Sequence, residues 1–364
     1  MHISKEQTLN ISIILILISA IISTCLSVNW RLSFYGTYQR YDGLLTFFCY
    51  LITYYTVIKV LSSNNFAEFS LILISLGFVV SVYALVQQVS LDPYYWKGSY
   101  AMEGSARPFS TLSHPNFLSE FLIMVLPFVY YKIAQGKKYY IFFAVIFIFA
   151  IFGTQTRAAF VALFVSGLYF VLLYKERFWF FNPDTRQFQI YIWRKINWKI
   201  TVGIISIIII LNLSFPQTPL KRFFTQPSTI NSRIDMWGVG VDMVKASPVF
   251  GIGLDNISEV YRYQYYYTRG EFPTQDQNKI HNEPLNIAIE KGLVGLGCWL
   301  FFLTIFFWIV KKKSQNPQII VLSTSIVGYL IQNLFSFSVI PTSILFWFII
   351  GMIIVYKNDK QTTY

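Results

Sequence analysis

The sequence predicts an all-α polytopic membrane protein with about ten transmembrane helices and one long extracytoplasmic loop. Long uncharged runs recur along the whole chain of 364 residues, and about 20 apolar residues suffice for a helix that crosses a bilayer. Hydrophobic residues make up 55% of the chain and charged residues only 13%, whereas a soluble domain carries roughly 25% charge. We therefore expect a single transmembrane domain over residues 1–364, in which residues 214–291 form the long loop.

Ten apolar runs are the predicted spans. As a helix, each is long enough, or nearly so, to cross about 30 Å of hydrocarbon. Their predicted limits are residues 9–28, 43–61, 68–89, 117–131, 139–154, 158–174, 200–215, 292–310, 319–335 and 342–356.

The positive charges between these runs predict their orientation. Lys and Arg cluster between spans four and five, six and seven, and eight and nine, and again after span ten. Because cytoplasmic loops are enriched in these residues, this side should be the cytoplasm. Topology then accounts for much of the net charge of +12, and no nucleic-acid partner is expected. Residues 29–42, 90–116, 153–157 and 214–291 should all face outward, although Arg31 and Arg40 lie among them.

Arg233 lies in a predicted short helix on the outer membrane surface. The sequence Ser232-Arg233-Ile234-Asp235 resembles a capping box, which would put Arg233 in the first turn. Apolar residues then recur at helical spacing as far as Met243, and Pro248 follows the expected end. The guanidinium either reaches toward lipid headgroups or grips two oxygens of a ligand phosphate.

His281 is one of three histidines in the chain. Pro284 is a favoured first helical residue, so a helix should begin there with Asn282 or Glu283 as its cap. The positive end of the helix dipole disfavours imidazolium and therefore favours a neutral imidazole, which is the state that a general base needs. His281 is thus either a base for an acceptor hydroxyl or a surface residue that helps to cap the helix.

Two further arginines lie at predicted outer ends of helices. Arg107 precedes the span that begins at Phe117, and Arg157 precedes the span that begins at Ala158. An arginine at a helix N-terminus is unfavourable because the dipole is positive there. Each therefore needs an anion nearby, either an acidic side chain such as Glu120 or a ligand phosphate.

The sequence predicts no metal, nucleotide or cofactor site. His114 and His281 have no third ligand at a suitable spacing, and we expect His114 to shape the turn before Pro115. No Asp-x-Asp pair and no Walker loop occur. Gly251-x-Gly253 lacks the strand–turn–helix setting of a dinucleotide site, so we expect a turn there.

Taken together and in order, these segments resemble those of the O-antigen ligase family, which includes O-antigen polymerases and related bacterial oligosaccharyltransferases. The resemblance covers roughly residues 100–300. The motifs that carry it are Arg107 with Ser113-His114-Pro115-Asn116, Thr156-Arg157-Ala158-Ala159, Arg233-x-x-x-Trp237 with Gly251-x-Gly253, and His281-Asn282 with Glu290-x-Gly292-x-x-Gly295.

This resemblance implies a glycosyltransferase at the outer face of the bacterial cytoplasmic (inner) membrane. Such enzymes move a glycan from an undecaprenyl-diphosphate carrier to an acceptor hydroxyl without metal or nucleotide, by an inverting displacement, in the synthesis of cell-envelope polysaccharides such as lipopolysaccharide. It implies that His281 is catalytic and that Arg107, Arg157, Arg233 and Glu290 bind substrate. The partners would be the lipid-linked glycan donor, a glycan or lipid acceptor, and the membrane.

Two alternatives stay open at this point. Ligase and polymerase share motifs and differ in acceptor, so the sequence leaves that choice open. A transporter or flippase of lipid-linked glycans would need charges deep within many spans. Here Glu120 is the clear case, and Lys59 lies near a span end. A long outer segment with a lone histidine therefore favours an enzyme.

Overall fold

The computed structural model describes residues 5–38, 40–92, 94, 107–175, 179–182, 187–190, 228–273 and 275–356. In this part of the chain the fold is helical, apart from one antiparallel hairpin of β1 (Trp179–Asn182) and β2 (Gln187–Ile190). The helices are α1 (Lys5–Cys25), α2 (Trp30–Tyr35), α3 (Leu44–Val60), α4 (Phe66–Gln88), α5 (Pro115–Ala134), α6 (Tyr140–Gly153), α7 (Arg157–Lys175), α8 (Ser228–Ala246), α9 (Ile257–Arg269), α10 (Glu283–Lys313), α11 (Pro317–Asn333) and α12 (Ile340–Val355).

Five of the described helical segments are long and apolar enough to cross a membrane. They are α1, α4 with the 3-10 turn before it, α5, α7 and α10. Helices α3, α6 and α12 are apolar but shorter. Each predicted span overlaps one helix, except the run at 200–215, which lies outside the described residues. The count of ten spans stays a prediction.

The helices fall into two compact units, described separately here. The first unit comprises residues 1–66, 228–315 and 329–364. In it α1 packs along α10 and α12 packs along α3. Aromatic rings fill its core, where Trp347 meets Phe47 and Tyr54 edge to face at centroid distances of 5.9 and 6.2 Å. Close van der Waals packing of this kind holds helices together where lipid offers no hydrophobic gain.

Helix α8 corrects one of our predictions. It begins at Ser228, before the proposed capping box, so Arg233 lies in its second turn rather than its first. Its apolar stripe is buried in a protein core; the members of this core are Met236, Val239, Met243, Ile252, Ile257, Tyr261, Ile280 and Ile289. The placement of this helix on the membrane surface stays a prediction. The helix does end before Pro248, at Ala246, as predicted.

The described part of the predicted long loop is largely folded. Helix α9 buries Ile257 and Tyr261 and exposes the rings of Tyr263 and Tyr267. At its end Arg269 donates to Asp235 of α8 at 2.9 Å. The segment is therefore a pair of packed helices that leads into α10.

Helix α10 is broken at Gly292, and a turn from the α8–α9 connection fills the break. Gly292 has φ +67°, which L side chains rarely adopt. The N–H of Leu293 donates to the carbonyl of Pro248 at 2.8 Å, and the N–H of Gly253 donates to the carbonyl of Glu290 at 3.0 Å. A Cβ on Gly292 would lie 2.0 Å from the Val249 carbonyl oxygen. The glycines of both motifs therefore allow two backbones to meet.

The same turn also holds the segment after α1. The N–H of Val28 donates to the carbonyl of Ile252 at 3.1 Å. The Asn256 amide bonds Ser33 Oγ at 2.6 Å, and Asp255 Oδ2 accepts from both the N–H and the hydroxyl of Thr37 at 2.6 and 2.8 Å. These bonds join residues more than 200 positions apart in sequence and fix the start of the segment that carries Arg40.

The second unit comprises residues 67–227 and 316–328. Helix α5 packs against α6 and α7, and Ser325 Oγ donates to the Met124 carbonyl at 2.6 Å in its interior. His114 is the N-cap of α5, since its Nδ1 accepts the N–H of Asn116 at 3.1 Å. The prediction that His114 shapes this turn is confirmed.

Candidate functional site

His281 lies one residue before the N-cap of α10. Asn282 Oδ1 accepts the N–H of Leu285 at 2.9 Å and Pro284 is in the first turn, so the predicted helix start is confirmed. The backbone of His281 has φ +54°. A residue other than glycine is uncommon in this left-handed region, and such strain concentrates at functional sites that the surroundings hold in place.

Both backbone polar groups of Ile280, the residue before His281, are hydrogen-bonded. Ile280 is fully buried. Its N–H donates to Asn286 Oδ1 at 2.8 Å, and its carbonyl accepts from Trp237 Nε1 at 3.0 Å. The His281 ring then meets Phe337 edge to face at 4.9 Å. The contacts from α8 and α10 fix the peptide before His281, and Phe337 packs against the imidazole.

The imidazole of His281 is free to accept a proton. Neither ring nitrogen bonds to another described residue, and Nδ1 is buried. Burial, Arg233 and Arg40 lower the pKa of His281 from 6.5 to about 4, because each disfavours the imidazolium cation. The ring is therefore neutral at physiological pH, as predicted, with burial and two arginines as the causes.

Arg40 belongs to this site, although the sequence indicated only a positive charge in a predicted outer segment. Its guanidinium carbon lies 4.5 Å from the Phe337 ring centroid, and Phe337 also contacts His281. Nη2 donates to Asn278 Oδ1 at 2.9 Å, whereas Nε is buried and lacks a partner among the described residues. Burial lowers the pKa of Arg40 even though Asp255 and other carboxylates oppose it. Its placement against the positive-inside trend was the signal available in the sequence.

Lys279 joins three carboxylates in a buried cluster behind His281. Its ammonium lies 2.8 Å from Glu290 Oε1, 3.1 Å from Asp42 Oδ2 and 3.5 Å from Asp255 Oδ1. Burial lowers the pKa of Lys279, but these carboxylates outweigh it and raise the pKa well above 10.5. The predicted substrate residue Glu290 thus has one oxygen in an ion pair, and its role toward substrate stays a prediction.

No group of three or more His, Cys, Asp and Glu side chains in the described ranges is arranged to hold a metal ion. In the Lys279 cluster the ammonium occupies the position between the carboxylates in which a metal ion would have to bind. Catalysis without metal stays a prediction.

In the second unit Arg107 lies against the segment before α7. Its Nε donates to the Thr154 carbonyl at 2.7 Å, and Nη2 lies 3.4 Å from Thr156 Oγ1 and 3.5 Å from Asn116 Oδ1. Arg157 is the first residue of α7. The structure thus brings the two motifs of this unit together, while His281, Arg233 and Glu290 belong to the first unit.

Comparison with known proteins points to one family. Residues 142–300 match the family model of the O-antigen ligase; this range contains Arg157, Arg233, His281 and Glu290 but not Arg107. A general O-oligosaccharyltransferase of Acinetobacter baylyi is 26% identical over 285 residues, which are 71% of this chain and 45% of that protein. An uncharacterized protein of Haemophilus influenzae is 28% identical over 90 residues, or 24% and 23% of the two chains.

The chain spans less than half the length of these two curated relatives. The family match nevertheless covers the segments in which α8, the Gly251–Gly253 turn and His281 lie. The resemblance to the O-antigen ligase family that the motifs carry is therefore confirmed over residues 142–300.

Proposed function

We propose that this protein transfers a glycan from an undecaprenyl-diphosphate carrier to an acceptor hydroxyl at the outer face of the bacterial cytoplasmic membrane, as an O-antigen ligase or polymerase. The family match and the similarity to an oligosaccharyltransferase support glycan transfer. The observation that carries the proposal is His281, a neutral imidazole without a hydrogen bond to a described residue, held beside two arginines.

In the proposed reaction, the acceptor oxygen bonds to the anomeric carbon of the donor glycan as the bond from that carbon to the diphosphate oxygen breaks. His281 takes the proton of the acceptor hydroxyl, which prevents a positive charge from building up on the attacking oxygen. The leaving group is the polyprenyl diphosphate. A base that is neutral over the physiological range suits this step.

Arginines would stabilise the diphosphate as its negative charge grows. Arg233 and Arg40 are both near enough to His281 to lower its pKa, so a diphosphate bound by them would lie close to the base. Guanidinium groups bind phosphate oxygens through paired hydrogen bonds and favour the charge that develops on a leaving group. Arg107 and Arg157 remain predicted donor-binding residues.

The test is glycan transfer in membranes, with purified lipid-linked oligosaccharide as donor and a chelator present throughout. Wild type is compared with His281→Ala and Arg233→Ala after membrane insertion of each variant is verified. We expect wild type to transfer, His281→Ala to lose transfer, and Arg233→Ala to keep only a small residual rate. The acceptor found in the product separates ligase from polymerase. Donor that crosses the bilayer without any transfer would favour the flippase instead.

A further inference from the structure

The first unit contains a cavity of about 240 Å³ to which the proposed reaction assigns no substrate. It is lined by residues from α1, α3, α10, α11 and α12 and from the segments before α3 and α12. Carboxylates of Asp42, Glu283 and Glu290 lie along it together with the indoles of Trp299 and Trp347. The cavity is thus polar in one part and aromatic in another.

Several polar side chains of this cavity can make further hydrogen bonds. The Tyr50 side chain is only 5% exposed, and its hydroxyl lies beside the Ser343 hydroxyl, which also pairs with Tyr329 at 3.3 Å. Lys279 binds one oxygen of Asp42 and one of Glu290, so the second oxygen of each carboxylate can accept a bond from a ligand. Polar groups that keep acceptor or donor capacity at a cavity wall can bind a polar ligand there.

The chemistry of the lining selects among ligands. Three carboxylates outnumber the single lysine of the lining, Lys291, so the cavity disfavours a diphosphate, and a polyprenyl chain offers the carboxylates no hydrogen bond. A sugar ring donates hydroxyl hydrogens to such oxygens and lays its apolar face on aromatic rings. A cavity of about 150 Å³ accepts one benzene ring, so this larger one has room for a six-membered sugar ring.

We propose that this cavity binds one sugar ring of the acceptor. Asp42, Glu290 and Tyr50 bind its hydroxyl groups, and Trp299 packs against its ring. Glu283 lies two residues after His281 and bonds Ser338, the neighbour of Phe337, at 2.8 Å, so the cavity begins next to the proposed base. This inference rests on the proposed function, because it names the binding site of that reaction's second substrate.

The test compares Tyr50→Phe with Tyr54→Phe in the transfer assay, with the acceptor supplied as its delipidated oligosaccharide. Both tyrosines are buried on α3, but the Tyr54 hydroxyl bonds Asn10 at 2.9 Å and does not line the cavity. We expect Tyr50→Phe to raise the acceptor KM about fivefold, the effect of one lost hydrogen bond, with the donor KM unchanged. Tyr54→Phe should leave both constants unchanged.

A second variant fills the space. Leu303→Phe places a ring in the cavity and should raise the acceptor KM more than Tyr50→Phe does, again without change in the donor KM. Normal acceptor kinetics in both variants, or a rise in the donor KM instead, would overturn the assignment while the enzyme itself stays active. Failure of wild type to transfer any glycan would instead remove the proposed function, and this inference with it.

Discussion

The indole Nε1 of Trp237 donates a hydrogen bond of 3.0 Å to the carbonyl oxygen of Ile280, the residue before His281. Trp237 lies one helical turn after Arg233 on α8. This single bond therefore ties the helix that carries the arginine to the strained peptide that carries the imidazole.

Replacement of Trp237 by Phe should slow transfer by loosening His281. The ring still fills the core, but the Ile280 carbonyl loses its donor. We expect kcat to fall about tenfold, the effect of a misplaced catalytic group, with little change in the donor KM. Trp30→Phe, at an indole that is 59% exposed, is the control. Equal activity of the two variants would mean that the bond does not position the base.

The pH profile of transfer should report the lowered pKa of His281. Since the base form persists above about pH 4, kcat/KM should hold as the pH falls from 7 to 5 and decline only on approach to 4. Arg233→Gln removes one cause of the lowered pKa, so its acid limb should move toward 6.5. Arg233→Lys keeps the charge and should keep the limb in place. The measurement compares the pH at which the rate falls, not the maximal rate. A fall near pH 6.5 in wild type would contradict the assignment of His281 as the base.

Arg40 should contribute to donor binding. Arg40→Gln removes a guanidinium that stacks on Phe337 beside His281, and we expect the donor KM to rise about tenfold from the loss of charge-assisted bonds. Arg31→Gln is the matched control, since Arg31 is an exposed arginine of the same predicted outer segment. Donor kinetics that change equally in both variants would indicate a general surface charge effect.

Lys279 should be essential for stability. Lys279→Met leaves Asp42, Asp255 and Glu290 buried together without a cation, and loss of one partner of a buried pair costs about 3–5 kcal/mol. Lys245→Met breaks only an exposed pair with Asp242 and should cost at most about 1 kcal/mol.

Heat denaturation in detergent measures both lysine variants against wild type. The deficit of Lys279→Met should shrink as the pH falls, because the carboxylates gain protons and their repulsion fades. A deficit that is the same at pH 5 and pH 8 would show that the ammonium acts through packing and not through charge.

Local patterns in the sequence were sufficient to predict two features of the structure. The start of α10 at Asn282 and Pro284 follows from cap and proline preferences, and the turn at His114 follows from the residues beside it. Both features depend on neighbours within a few positions, so the sequence carries them directly.

Other features depend on contacts between distant segments. The apolar stripe of α8 has the same spacing whether it faces lipid or protein, so periodicity could not reveal its packing on Ile280 and Ile289. Arg40 and Lys279 appeared in the sequence as ordinary charges of polar segments. Their roles arise only because the turn at Gly251–Gly253 brings the segment after α1 to the start of α10.

The insertion of that turn into the break at Gly292 also sets an order of assembly during synthesis. Ser23 Oγ donates to the Glu290 carbonyl at 2.5 Å, and Val28 and Thr37 bond to residues 252 and 255. Helix α1 and the segment after it therefore wait for these partners until more than 200 further residues have been made. A nascent chain that stops before α10 leaves the Ser23 hydroxyl without the Glu290 carbonyl, and it lacks the helix against which α1 packs and which lines the sugar cavity.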